Sequence, residues 1–317
     1  MSDEQLGNLV VEPKHGDTKL DVAKAATDAS ELGRALARPY ASVLTDLGAH
    51  AITIKTQTVV DEAGKPVSDL SDESTIKNGD KGTFHAVYTN TADYGRETIF
   101  VGDKLYLRPR YQRWHGRAPE SATEPTEIRA SFYGAIAATW DLVGYAAELT
   151  DRGVVQVAGK NGRKIEIKLD PSASKAPREA LAQRKWREGR SIEALTGNVI
   201  LDAETGAPLS VELDAKIGFS RDGRSFVMKL KLQAAVTDLG KPAQVAAPAE
   251  GEVVATPGRL REVDERDHLL QGIAPPIRKN PDGTGVQPAP APAPAAGSAA
   301  PPADKPKDKK PAGADKP

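Results

Sequence analysis

From residue 209 to residue 219 the chain places Leu209, Val211, Leu213, Ala215, Ile217 and Phe219 at every second position, with polar or small residues between them. A second run, RSFVMKLKLQAAV, repeats the pattern with Phe226, Met228, Leu230 and Leu232. Side chains alternate across a strand, so each run has one apolar and one polar face. Strands this long and dry on one side belong to a wide antiparallel sheet. The turn signals DAETG at 202–206 and RDGR at 221–224 join such strands as hairpins.

The same period recurs upstream. Ile52, Ile54, Thr56 and Thr58 alternate before DEAGKP, and Phe84, Ala86 and Tyr88 alternate next. RETIFV and KLYLR flank the two-residue signal Gly102-Asp103, which predicts a hairpin. VVQVAG, a turn at KNGR, and RKIEIKL with Ile165, Ile167 and Leu169 supply two more strands. Roughly nine or ten antiparallel strands of this length make a sheet that curls. Its dry face has to be covered by something.

Two helical segments are available for that role. Residues 17–48 read as one helix that Pro39 kinks or ends. In EIRASFYGAIAATWDLVGYAAEL, residues 127–149, Ile128, Phe132, Ile136, Trp140, Val143 and Ala147 recur every three or four positions, and Thr126 is the expected N-cap. The fold class is therefore mainly β within α+β: a large curved antiparallel sheet forming a half barrel, capped by an N-terminal and a central helix.

Outside this domain, expected at residues 17–246, the composition thins. Residues 1–16 are expected to be a disordered N-terminal segment, and 247–285 an extended strap carrying Leu269, Leu270 and Ile273. Residues 286–317 are rich in Pro and Ala and lack the large side chains that offset the entropy of ordering. They are expected to form a disordered spacer.

Lys and Arg number 43 against 44 Asp and Glu, so no global field draws the chain to nucleic acid or anionic lipid. With no cysteine, disulfides, thiolate metal sites and a cysteine nucleophile are excluded. No stretch of about 18 apolar residues suggests a transmembrane helix. The start shows no basic-then-apolar export signal.

The order of these pieces resembles the LolA, LolB and LppX/LprG-type lipoprotein carriers over residues 17–246. An N-terminal helix is followed by AHAITIKTQTVV, KGTFHAVY, RETIFVGDKLYLRPRYQRW, a central helix, GKNGRKIEIKL, ILDAETGAPLSVEL, FVMKLKL and VTDLGKPAQVAAP. That family folds as a helix-capped half barrel whose cavity holds acyl chains. The resemblance implies a ligand lining of Ile52, Ile54, Phe84, Tyr88, Leu209, Val211, Phe226 and Met228 on strands, with Phe132, Ile136 and Trp140 on the helix. It also implies a periplasmic or outer-envelope location, although the sequence shows neither the signal nor the lipidated cysteine of those carriers. An ordinary filled core would use the same residues.

GxSxG, HExxH, P-loop, dinucleotide-binding and EF-hand patterns are all absent, and five histidines are scattered singly. Neither a catalytic residue nor a metal or cofactor site is expected. LYLRPRYQRWHGRAP, residues 105–119, interleaves arginines with aromatics in the manner of a single-strand nucleic-acid track. The balanced charge and the acidic SATEPTE beside it argue against that. Residues 110–119 read instead as a connection at the barrel rim, with Trp114 as anchor and Arg110, Arg113 and Arg117 pairing with carboxylates or meeting an anionic head group.

The expected function is a non-enzymatic, monomeric extracytoplasmic carrier or sensor for a lipid, an acylated protein or another hydrophobic ligand, with an envelope partner reached through the tail. One alternative is a structural or scaffolding envelope protein with a filled core whose tail binds a partner. Another is a small-molecule enzyme on the same scaffold.

Overall fold

The structure, a computed structural model, describes residues 20–172 and 189–255, together with residues 278–279 and 286–287. Two units divide the chain, Met1–Pro257 and Gly258–Pro317. In the second, the described residues form one antiparallel ladder, Arg278–Lys279 with Val286–Gln287. The expectations for residues 1–16, for most of the strap and for nearly all of the tail lie outside the described residues.

The first unit opens with three short helices, α1 (Val22–Ala25), α2 (Ala29–Leu36) and α3 (Tyr40–Leu47). The single helix expected over 17–48 is thus broken twice. At the first break the Asp28 carboxylate accepts from the amides of Ser30 (2.8 Å) and Glu31 (3.2 Å), an N-cap that starts a new helix. At the second, Pro39 caps α3 as its sequence position suggests.

One meander follows: β1 (Ala51–Glu62), β2 (Lys65–Asn78), β3 (Phe84–Asn90), β4 (Gly95–Val101), β5 (Lys104–Pro109) and β6 (Trp114–Arg117). The central helical region then comes in two pieces, α4 (Glu124–Ser131) and α5 (Ala135–Val143). A second meander runs through β7 (Ala147–Val157), β8 (Lys160–Leu169), β9 (Arg190–Asp202), β10 (Pro208–Arg221) and β11 (Arg224–Thr237). A last short strand is β12 (Val253–Ala255).

All twelve strands form one open, curved sheet in the order β12-β6-β5-β4-β3-β2-β1-β11-β10-β9-β8-β7. The meanders are welded by β1 against β11, antiparallel from Ala51 opposite Thr237 to Glu62 opposite Phe226. Every pairing is antiparallel except that of β12, which runs parallel to β6.

The expected half barrel with helical caps is present, with differences in detail. The strand β2 was not legible in KPVSDLSDESTIKN. The helix expected over 127–149 breaks at Phe132–Gly134 and gives way to strand at Ala147, and Thr126 lies inside α4 while Thr123 stands at its N-cap position. The turn placed at KNGR lies at Ala158–Gly159, both with positive φ (51° and 85°), the conformation of a two-residue hairpin loop. Residues 114–117, read as part of a connection, form β6.

The helices pack on the face carrying Ile52, Ile54, Leu209, Val211, Leu213, Leu232 and Ala234, and these join Leu32, Leu36, Val43, Ile136 and Val143 in one buried cluster. We call this the inner face. Packing is close where helices meet: a Cβ on Gly33 of α2 would lie 2.9 Å from the Trp140 Nε1 of α5.

Candidate functional site

The inner face changes character along its strands. At one end, Ile52 and Ile54 of β1 lie opposite Val236 and Ala234 of β11, all 2–5% exposed. Toward the tips of the two long hairpins the same row continues through Thr58, Val60, Met228, Phe226 and Phe219, all only half-buried. Phe219 lies opposite Phe226 and stacks on it at 5.3 Å between ring centroids, and Ile217 lies opposite Met228. Helices cover one end of the apolar row, and the other end keeps its side chains partly open.

The expected lining residues divide along this line. Ile52, Ile54, Phe84, Phe132, Ile136, Trp140, Leu209 and Val211 lie together in the buried cluster. Met228 and Tyr88 are half-buried against it, and Phe226 lies at the open end. Tyr88 belongs to a polar patch of the inner face. Its hydroxyl donates to Asp72, whose other carboxylate oxygen accepts from Thr56 Oγ1 at 3.2 Å. Burial, with the Asp72 carboxylate beside it, pushes the Tyr88 phenol up to about 12.

At the covered end lies a buried polar cluster that no sequence pattern announced. Asn78 Nδ2 donates to Tyr40 Oη (2.8 Å) and to the carbonyl of His50 (2.9 Å). Tyr40 Oη lies 3.0 Å from His50 Nε2, and His50 Nδ1 lies 2.7 Å from the Gly48 carbonyl. A carbonyl can only accept, so Nδ1 carries the proton and Nε2 accepts from Tyr40. Burial lowers the His50 pKa and raises that of Tyr40 to about 12.

Arg129 of α4 enters the same cluster. It is 7% exposed, and NH1 reaches Asn78 Oδ1 only at 3.4 Å. Its guanidinium carbon stands 5.3 Å from the Phe84 ring centroid and 6.0 Å from that of Tyr40. The sequence could not bring these groups together, because α3, the approach to β1, the end of β2, and α4 each supply one.

Each rim arginine has its own partner. Arg110 pairs with Asp93 at 3.1 Å and donates to the Asn90 carbonyl at 3.2 Å, and Arg117 pairs with Glu124. Arg113 donates to the Gly251 carbonyl, beside the start of β12. Trp114 is 4% exposed, with Arg108 stacked over its ring at 4.4 Å and Arg108 in turn bound to Glu97. These contacts tie β5, β6 and the approach to β12 together.

The opposite face of β1, β2, β3 and β11 carries a groove of about 460 Å³ whose lining includes Lys55, Gln57, Glu73, Lys231 and Gln233. Its polar lining suits no acyl chain. Among the described residues, no group of three or more His, Asp or Glu side chains could hold a metal ion, and no helix is long and apolar enough to cross a membrane.

No family model and no curated protein matches the chain. Among solved structures, the chain is similar to LprF from Mycobacterium bovis, at 13% identity and a TM-score of 0.27, covering 70% of this chain and 99% of that one. It is also similar to the lipoprotein LppX from Mycobacterium tuberculosis, at 12% and 0.29, covering 69% and 100%. A LolA superfamily protein from Nitrosomonas europaea follows at 7% and 0.19, covering 64% and 96%. These are proteins of the kind that the order of strands and helices resembles. The fold itself rests on the strand ladders of the sheet.

Proposed function

We propose that this protein is a non-enzymatic extracytoplasmic carrier or sensor that takes a lipid, the acyl chain of a lipoprotein or another hydrophobic ligand on the inner face of its sheet. The observation that supports this reading best is the uneven cover of that face. Ile192, Phe219, Phe226, Met228 and Val60 continue the apolar row past the buried block and stay half-buried. Each methylene of a ligand taken out of water there contributes about 0.8 kcal/mol, so affinity needs no dedicated motif. The buried lining residues, Ile52, Ile54, Phe84, Phe132, Ile136, Trp140, Leu209 and Val211, extend the same surface inward beneath the helices.

A fluorescent fatty acid titrated into the full chain tests the reading. Saturable binding that falls at least tenfold in Met228→Lys and is unchanged in Val154→Lys, a substitution at an exposed position of β7, is the expected result. Equal binding by all three proteins would contradict it.

A further inference from the structure

Two buried donors at the covered end of the sheet lack an acceptor. Arg129 Nε and Tyr133 Oη are shielded from solvent and have no hydrogen-bond partner. Arg129 lies in α4 and Tyr133 four residues on, in the break that follows that helix, and both side chains lean on Tyr40, whose ring centroid is 4.7 Å from that of Tyr133 and 6.0 Å from the Arg129 guanidinium. Among the described residues no carboxylate pairs with Arg129. Buried charges in proteins are otherwise paired, and a buried donor left open is a rare and costly arrangement.

The neighbouring acceptors do not fill the gap. Asn78 Oδ1 faces Arg129 NH1 at 3.4 Å, Tyr40 Oη accepts from Asn78 and donates to His50, and neither oxygen accepts from Arg129 Nε or Tyr133 Oη. The cluster thus offers a guanidinium edge and a phenol hydroxyl, both donors, inside a wall of Phe84 and Tyr40 rings. What it lacks is an acceptor carrying negative charge.

We propose that Arg129 and Tyr133 form a binding site for an anionic oxygen group, a carboxylate or a phosphate. Guanidinium geometry suits both groups, and the hydroxyl supplies a further donor. The site is separate from the half-open end of the inner face: Asn78 follows Lys77, which pairs with Ala51, whereas Phe226 lies opposite Glu62 at the other end of β1, roughly 35 Å away at strand rise. The proposal therefore stands without the carrier reading, although an acidic lipid would be one source of the group.

The test is thermal unfolding of the full chain in inorganic phosphate, decanoate or methyl decanoate, each against chloride at equal ionic strength. Wild type should be stabilised by decanoate or by phosphate. Stabilisation by decanoate alone identifies an acidic lipid as the source, and stabilisation by both identifies the free anion as sufficient. Arg129→Met, which removes the unpaired charge, should melt at a higher temperature without anion and lose the anion response. Tyr133→Phe should keep the fold and weaken the response, and Arg129→Lys should retain part of it. A wild type indifferent to both anions, or an Arg129→Met protein that responds like wild type, overturns the proposal. Methyl decanoate reports on apolar binding alone, so its failure would count against the carrier reading and leave the anion site standing.

Discussion

Tyr40 and His50 are joined by a 3.0 Å hydrogen bond that holds the imidazole neutral, with its Nδ1 proton on the Gly48 carbonyl. The pair couples α3 to the entry of β1, so the cluster fixes a helix of the cap to the sheet. Replacing Tyr40 by Phe leaves His50 Nε2 without a donor and one Asn78 hydrogen without an acceptor. Loss of about 1–3 kcal/mol is expected from denaturant midpoints, with an unchanged m-value.

The pH dependence has a definite sign. Burial lowers the folded-state pKa of His50, so between that value and about 6.5 the unfolded chain binds more protons than the native one. Stability therefore falls as pH drops below about 6.5, at up to about 1.4 kcal/mol per pH unit for one such group. His115 shifts in the same direction through burial and adds to the slope. In His50→Gln the slope across this window should shrink. An equal slope in wild type and variant would remove His50 from the account.

Gly144 of the turn after α5 has ordinary negative φ, but a Cβ there would overlap the Trp140 indole. Gly144→Ala should cost about 1–3 kcal/mol by overpacking, and Trp140→Leu should recover part of that cost in the double variant. Additive effects in the cycle would show that the two sites do not press on one another.

Arg113 holds the carbonyl of Gly251 just ahead of β12, the short parallel strand at the sheet edge. Arg113→Glu should speed amide exchange at Val253 and Val254 while leaving β10 and β11 protected. Unaltered exchange at β12 would mean that the arginine does not secure this edge.

Asp202 is buried at the β9–β10 turn. Burial pushes its pKa up, but donors from the Thr205 amide (2.9 Å), Lys160 Nζ (3.0 Å) and the Glu204 amide (3.0 Å) together hold it below the usual carboxylate range. The stability it contributes is present above about pH 4 and is lost as pH falls through the lowered value. Asp202→Ala should destabilise by about 1–3 kcal/mol at pH 7 and less at pH 3.

The alternation of β10 and β11 told which side chains face inward before any coordinates did, because a two-residue period leaves no choice of face. The Gly102–Asp103 hairpin was equally legible, with φ of 58° and 60° at the two loop residues. The strand β2 was hidden because residues 65–69 are exposed on both faces at the hairpin tip, so no apolar alternation marks them. The connection through Tyr111, with φ of 65°, concealed β6 behind Pro109. The expected lining was readable as a face but not by depth: periodicity cannot tell Ile54, under the helices, from Phe226 at the open end. The Arg129 cluster was beyond reach because its members are distant in sequence and each is an unremarkable polar residue by itself.

Native mass spectrometry of the full chain purified from its own host tests the central claim most directly. A bound hydrophobic molecule of discrete mass is expected on wild type, and its loss in Met228→Lys with the fold retained by circular dichroism. A wild-type spectrum of the bare polypeptide, together with no uptake of added fatty acid, would contradict it.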